Sequence, residues 1–501
     1  MRSGYSELLG SMRPTSTNAV VAGEADPSEV IEVSVILRRA NPIDVSRRRS
    51  VLTREQLTER HGAQDNDVQA VSAFAASNSL SVVKVSQGTR TIRLSGTVGQ
   101  FANAFDTTIV NLDEQGAVSR ALSGPIFIPE ALNGVVVAVL GLDTRRVARS
   151  HVQLVQSQNV LSSFYATQIR DLYHFPPDLR GDRQTIAILE FGGGYQSADF
   201  ATYFHQEGLG AQPSVEWVSV DGNMNVPGSV DDTEVALDVE VAGSVAPLAD
   251  IVVYFAPWSE LGWIHAISMA VMESPVLPTV VSVSWGWPET LWGDMAISAI
   301  DAALADAVAL GITVCISSGD WGSNDGTSGQ TTEYPASSPH ALACGGTVLQ
   351  SDGVNILDEV GWPGSGGGIS AMFPPPPWQN FGYSGRAVPD VAANAVHYKI
   401  HFDGADAVVN GTSAVAPLYA GLIALCAESM LGSHGAGFLN FTIYEDFSAQ
   451  STFRDITAGS NGGYSAQPGY DLVTGWGSPN GAALLDVLET LSFAQVQLQL
   501  S

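Results

Sequence analysis

The sequence predicts an α/β protein: a larger domain with a mostly parallel sheet flanked by helices, preceded by an α+β, ferredoxin-like sandwich. Three observations carry the layered part of that reading. From about residue 160 onward, short β-rich apolar runs alternate with helical segments, the pitch of strand–helix units in a parallel sheet. Charge divides the chain: residues 1–150 hold 16 Lys/Arg and 15 Asp/Glu, a net of +1, and the other 6 basic and 36 acidic residues give 151–501 a net of −30. The 501 residues, 45% hydrophobic with 51 glycines, suffice for two or three domains with their own cores.

In chain order, EVIEVSVIL (29–37) alternates like a strand, and LTREQLTERHG and DVQAVSAFAASN carry helical spacing. SVVKVSQGTRTIRLSG reads as a hairpin about its QG turn, GQFANAFD as a helix and GVVVAVLGL as a buried strand. DTRRVARSHVQLVQSQNV (143–160) is polar and basic, a linker expected to be open to cleavage. Beyond it QTIAILEF (184–191), ADIVVYF (249–255), TVVSVSWG (279–286), GITVCISSGD (311–320) and HALACGG (340–346) read as strands. DTEVALDVEVAGSVA and DMAISAIDAALADAVAL are expected helices between them. Sites in such folds lie beyond the carboxyl ends of the strands.

The charge makes nucleic acid and anionic membrane poor partners for the larger part. A body of net −30 relaxes as carboxylates protonate, which suits an acidic setting and equally serves solubility. Apolar runs such as VVVAVLGL fall short of membrane-spanning length, and MRSGYSELLGSMRP has no apolar signal core. Cys315, Cys344 and Cys426 show no metal-ligand spacing and read as small buried residues, with one disulfide left open.

Five motifs bear on chemistry. EFGGGY (190–195) follows a strand as a dinucleotide fingerprint would, but Ser197 stands where the third glycine belongs and no ribose-binding acid ends the next strand. Glu234 and Asp238, four apart in DDTEVALDVEVAG, share one face of an otherwise apolar helix. They are either a solvated acidic edge or a coupled pair that holds one carboxyl as a general base in acid. Asp320 in SSGDWG either caps a turn or, protonated, donates to an oxyanion. Asp455 and Asp471 flank a Gly-rich loop whose oxygen donors suit Ca²⁺, though such residues also serve plain turns. Finally NGTSAVAP (410–417) runs into the apolar LYAGLIAL, so Ser413 is either the cap of a buried helix or a nucleophile lifted onto its start. None of the nine histidines stands in an HGT-type helix start, so a catalytic Ser413 needs a carboxylate base, and Glu234 with Asp238 is the pair patterned for it.

With ILEFGGGY, EVALDVEVAG, ADIVVYFAP, VSVSWGWPE, SSGD, YPASSPHALACGGT, GSGGGIS, VPDVAANA and NGTSAVAPLYAG in this order, the chain resembles the sedolisin, or serine-carboxyl peptidase, family, most of all its kumamolisin-like members. The resemblance implies a subtilisin-like fold in which Ser413 is the nucleophile, Glu234 the general base and acid, Asp238 its coupled orienter and Asp320 the oxyanion residue. It further implies that Glu190 and Trp285 extend the hydrogen-bond network and that Ser284, Gly286 and Trp287 lie on the substrate-pairing strand. Asp455 and Asp471, with the carbonyls of Ile456, Gln467 and Gly469, match the family's single calcium site. The implied organisation is an inhibitory prodomain (1–142), a linker with the activation cleavage region (143–161) and a catalytic domain (162–501). The function so implied is an acid-active, self-processing endopeptidase, monomeric and extracellular, that takes polypeptides and is inhibited by its own prodomain. Tripeptidyl release, or a non-catalytic peptide-binding homologue, are the alternatives. Trp287 and Trp321 depart from the family pattern with bulky rings expected to narrow subsites.

Overall fold

The computed structural model describes residues 2–15, 19–44, 51–114, 116–155, 163–430 and 436–500. In the N-terminal module four antiparallel strands form a sheet in the order Ser81–Ser86, Thr91–Thr97, Val30–Leu37, Val136–Leu140. Helices Arg54–His61 and Val98–Ala104 start where the sequence supplies capping boxes, Thr53 with Gln56 and Thr97 with Gln100. A second sheet of Val20–Glu24, Ile109–Glu114 and Ala117–Leu122 extends the module. Its strands are short, and the first is fully exposed, so alternation did not mark them.

The apolar residues of the first sheet share one core with helices Glu260–Ser268 and Asp294–Ala309 of the larger domain. The Val139 N–H points at Met295 Sδ at 3.2 Å. Ion pairs ring this seam: Arg93 with Asp221 at 2.8 Å, Arg39 and Arg90 with Asp306 at 2.6 and 2.9 Å, and Lys84 with Glu273 at 2.6 Å. A fully buried Val or Leu contributes roughly 1.5–3 kcal/mol. The partly exposed pairs, Lys84–Glu273 and Arg93–Asp221, contribute roughly 0–1 kcal/mol each. Asp306 is buried with Arg90, where the cost of desolvation offsets much of the attraction. The apolar seam therefore supplies most of the docking energy.

The larger domain is built on an eight-stranded sheet in the order Ser214–Ser219, Asp250–Phe255, Thr185–Glu190, Val280–Val283, Thr313–Ser317, Leu342–Ser351, Ile356–Gly361, with Val391–Asn394 also paired to Leu342–Ser351. All pairings are parallel except that of Ile356–Gly361. The expected strand 279–286 breaks in two: Val280–Val283 stays in the sheet, and Trp285–Pro288 leaves it to pair with Glu333–Tyr334. Helices Asp232–Val245 and Val415–Ser429 cross closely, since a Cβ on Gly421 would lie 2.6 Å from the Val245 side chain. The span Thr412–Ser429 is, contrary to expectation, apolar and long enough to cross a membrane, but 89% of it is buried, so it serves as a core helix. All three cysteines are free and buried, which closes the disulfide question.

Candidate active site

Helix Asp232–Val245 is buried along its whole length. Acidic residues in its first turn suit the positive end of the helix dipole. The Asp232 carboxylate also accepts the N–H groups of Gly194 (2.8 Å) and Ser229 (3.2 Å), which ties the glycine triplet to the helix start. That gives GGGY a structural task. One turn apart, Glu234 and Asp238 are both fully buried, so the pair is no solvated edge. Ser284 Oγ donates to Asp238 Oδ1 at 2.6 Å, and Trp285 Nε1 donates to Glu190 Oε2 at 2.7 Å. Burial first, then the neighbouring carboxylates, drives Asp238 and Glu190 well above the usual range. Burial and the nearby Asp320 push Glu234 up to about 8, against hydrogen bonds from Ser413, His151 and Val152.

Ser413 sits in a single turn, Thr412–Ala414, that follows Gly411 and leads into helix Val415–Ser429. The helix cap position falls at Ala414, with no side-chain cap bond, so Ser413 is not a cap. Its hydroxyl is near enough to Glu234 to favour the carboxylate, yet Ser413 Oγ, Glu234 Oε1 and Asp238 Oδ2 have no well-formed hydrogen bond. Three buried polar atoms that lack a well-formed partner thus lie on the serine and the two carboxyl groups. Asp320, just past strand Thr313–Ser317, accepts the Thr412 N–H (2.8 Å) and Thr412 hydroxyl (2.9 Å) on Oδ1. Burial raises its carboxyl to about 7. Glu234, Asp238, Ser413, Asp320, Glu190, Trp285 and Ser284 are thus brought together. Ser284 turns its hydroxyl into the carboxyl network, whereas Gly286 and Trp287 face the cleft.

The cleft is filled by the chain's own residues 149–154. Instead of an open linker, Arg149–Ser150 pairs antiparallel with Trp285–Gly286, and Gln153–Leu154 pairs with Val409–Asn410. Residues 156–161 of the expected cleavage region lie outside the described residues. The N–H groups of His151 and Val152 both donate to Glu234 Oε2, at 2.8 and 3.0 Å. A Cβ on Gly411, whose φ is +153°, would lie 2.2 Å from the His151 carbonyl oxygen and 2.9 Å from Asp320 Oδ2. That carbonyl and Asp320 therefore face one small gap beside Ser413. The His151 ring bonds Ser317 Oγ (2.6 Å) and Glu333 Oε1 (2.8 Å), not Ser413.

At the far end, Asp455 Oδ2 accepts the Gly469 N–H and Asp471 Oδ2 the Gln467 N–H, each at 3.0 Å. The carbonyls of Ile456, Gln467 and Gly469 accept no hydrogen bond from the described residues. Among those residues no cluster of three or more His, Cys, Asp or Glu suits a metal, so an ion here would rely on two carboxylates plus main-chain oxygens.

A parallel sheet with a serine at a helix start and facing carboxyl groups defines a serine peptidase of the subtilisin-like class. Residues 17–145 match the pro-kumamolisin activation domain, and residues 222–434 match the subtilase family. Kumamolisin of Bacillus sp. (strain MN-32) is 38% identical over 96% of both chains. Tripeptidyl-peptidase sed5 of Aspergillus fumigatus is 26% identical over 97% of both. The solved Pseudomonas sedolisin, a serine-carboxyl proteinase complexed with two molecules of pseudo-iodotyrostatin, superposes with a TM-score of 0.61 at 26% identity, over 67% of this chain and all of its own. The chain belongs to the sedolisin family and is a serine-type peptidase that carries its activation domain.

Sequence reading missed Glu333 and Asp325, both buried beside the seated segment. Glu333 directly precedes the YPASSPH motif, but nothing in its spacing tells a pocket floor from a turn.

Proposed function

We propose that the chain is an acid-active endopeptidase proenzyme that cuts itself at His151–Val152 and then cuts polypeptides through a Ser413 acyl-enzyme. The observation that carries this reading is the seating of residues 149–154, extended as an added strand with the His151 carbonyl between Asp320 and Gly411. Ser413 Oγ bonds to the carbonyl carbon while its proton passes to Glu234. The oxyanion accepts a hydrogen bond from protonated Asp320, whose Oδ2 faces it while Oδ1 is held by Thr412. Glu234 then gives its proton to the leaving nitrogen, which is 3.0 Å from Oε2 in the seated segment, as the C–N bond breaks. Water hydrolyses the ester with Glu234 as base again.

A base must begin ionised. Glu190, Glu234 and Asp238 repel one another as anions in a buried site, so in acid the cluster carries one charge at most. Glu234 and Asp238, each with one unpartnered oxygen, Oε1 and Oδ2, are the pair to which we assign a shared proton. Endopeptidase action is favoured over tripeptidyl release because the chain continues upstream through the cleft: the Val147 N–H donates to the Trp258 carbonyl at 2.8 Å, four residues before His151. A site that releases tripeptides needs that end closed.

Asp455, Asp471 and the three carbonyls are the hard-oxygen donors that would hold one Ca²⁺, with the Asp471 oxygens also accepting the N–H groups of Gln467, Val473 and Thr474. The ion would supply cross-linking and no chemistry. The loop they anchor braces the residues after Asp320, since the Asn461 carbonyl accepts the Ser323 N–H at 3.0 Å. Export to an acidic extracellular setting and action as a monomer complete the reading.

The test shifts full-length protein and its Ser413→Ala variant from pH 7 to about pH 4, following chain length by intact mass along with peptide hydrolysis. Wild type should shed a fragment ending at His151 and gain activity while the variant stays whole. If both stay intact and silent with calcium present, the peptidase mechanism is wrong for this chain.

A further inference from the structure

Two buried acids line the cleft beside the bond read as scissile, and their counter-charges come from the seated segment. Glu333 lies on the short strand next to Trp285–Pro288, with its side chain 1% exposed. It occupies space that two missing side chains leave open. A Cβ on Gly286 would stand 2.7 Å from Glu333 Cγ, and one on Gly319, at φ +106°, would stand 2.2 Å from Oε2. Glu333 Oε1 meets the His151 ring at 2.8 Å and the Arg149 guanidinium at 3.6 Å. Asp325, its side chain 3% exposed, bonds the Arg149 Nη2 through Oδ1, and its carbonyl accepts from the same nitrogen at 3.2 Å. The guanidinium lies 3.7 Å from the centre of the Trp321 ring and 5.5 Å from that of Trp287.

Glu333 Oε2 and Asp325 Oδ2 have no partner even with the segment seated. Burial and Glu333 together drive the Asp325 carboxyl well above its usual range. Burial would raise Glu333 too, but the His151 ring and Arg149 outweigh it and hold the group low. Once the segment leaves, two desolvated carboxyls face each other with neither cation in place, an arrangement that favours a substrate bringing positive charge back. Trp321 and Trp287 then serve as stacking walls for a planar cation rather than as plugs of the subsites.

We infer that the cleft selects peptides with histidine or another basic residue just before the scissile bond and arginine two residues further upstream, the first read by Glu333 with Ser317 and the second by Asp325 with Trp321 and Trp287. The inference rests on the peptidase reading and on His151–Val152 as the bond at the centre. It also makes the activation segment, Arg-Ser-His, the template of the preferred substrate.

Two experiments test it independently. In the first, acid-activated enzyme is given octapeptides that differ only at these two positions, and kcat/KM is compared at about pH 4. Arg-Ser-His should exceed Ala-Ser-Leu by about 10- to 100-fold, the discrimination expected when a buried charge is left unpaired. Glu333→Gln should collapse the histidine-to-leucine ratio about tenfold, Glu333→Asp should restore part of it, and Asp325→Asn should act on the arginine position alone. Equal rates for all peptides, or a uniform loss that leaves the ratios intact, would overturn the inference.

The second experiment uses full-length chain carrying Ser413→Ala and reads the rate at which an unrelated added protease cuts within 147–154. Glu333→Gln, Asp325→Asn, and from the other side Arg149→Gln or His151→Leu, should each speed that cut about tenfold or more. Unchanged protection in all four would overturn the pocket even where the first experiment gave no hydrolysis. Absent hydrolysis of every peptide with protection behaving as expected would instead indict the peptidase mechanism and leave the pocket standing.

Discussion

Asp320 shows how one proton sets a working range. Its Oδ1 is occupied by Thr412, so only a protonated Oδ2 can donate to the oxyanion, and burial holds that proton on up to about pH 7. Activity should therefore fall as pH rises through that value. Asp320→Asn, a donor at any pH, should keep activity within about tenfold and shift the alkaline limb of the kcat profile upward, whereas Asp320→Ala should lose about 10²–10³-fold. Identical profiles for wild type and Asp320→Asn would mean that another group sets the limb. Ser413 teaches a related lesson. NGTSAVAP by itself suits a helix cap better than a nucleophile, and the helix start at Ala414, with the Ser413 hydroxyl turned toward Glu234, removes the cap reading.

The helices that carry Glu234 and Ser413 meet at Gly421, where there is no room for a methyl group. Gly421→Ala should destabilise the chain by about 1–3 kcal/mol, read as a lower midpoint in denaturant, because overpacked helices must move apart. It should also reduce kcat more than it changes KM, since the serine and its base move with their helices; an unchanged kcat would show that the site tolerates the shift. The loop from Asp455 to Asp471 is the second element on which the site leans. Chelation should lower the thermal midpoint of the Ser413→Ala chain, and Asp471→Asn should abolish the difference between calcium and chelator. At calcium 100 times Kd, binding adds about 2.7 kcal/mol, well within calorimetric reach. Equal midpoints with and without calcium in the parent would leave the loop a plain turn.

Across the whole molecule, buried carboxyls raised in the folded state outnumber those held low. Glu190, Glu234, Asp238, Glu240, Glu260, Glu289 and Asp320 all move upward, chiefly by burial. The unfolded chain releases these protons near pH 4 to 4.5, so above that range the folded state binds more protons, and stability falls as pH rises. Each retained proton contributes a slope of about 1.4 kcal/mol per pH unit within its window. The thermal midpoint of full-length Ser413→Ala should accordingly drop between pH 4.5 and 8, and a flat or rising trend would contradict protonated burial. Asp221 works the other way: burial raises it, but His265 and Arg93 outweigh that and hold it low, so its grip on the N-terminal module persists at neutral pH and is lost in strong acid. Acid thus firms the larger domain while it loosens one tie to the module.

Much of this was legible in the chain. The expected strands of the module, the five expected strands of the larger sheet and the helix bearing Glu234 and Asp238 appear within a few residues of their places, because periodicity and local propensity are short-range properties. Ser214–Ser219 and Val391–Asn394, which also join the parallel sheet, were not read from the sequence. Motif order carried the family, and composition located the change from a near-neutral module to an acidic body. The split of 279–286 was not legible, since continuous apolar character cannot say where a strand changes sheets. Nor was the seating of 149–154: a polar, basic stretch looks like a free linker until folding brings Glu333, Asp325 and Glu234 to one cleft. Those residues lie far apart in sequence, so their joint electrostatics exist only after the strands align. Local pattern fixed the elements and the nucleophile candidates, while long-range packing decided which charges are buried, which are paired and which segment fills the cleft.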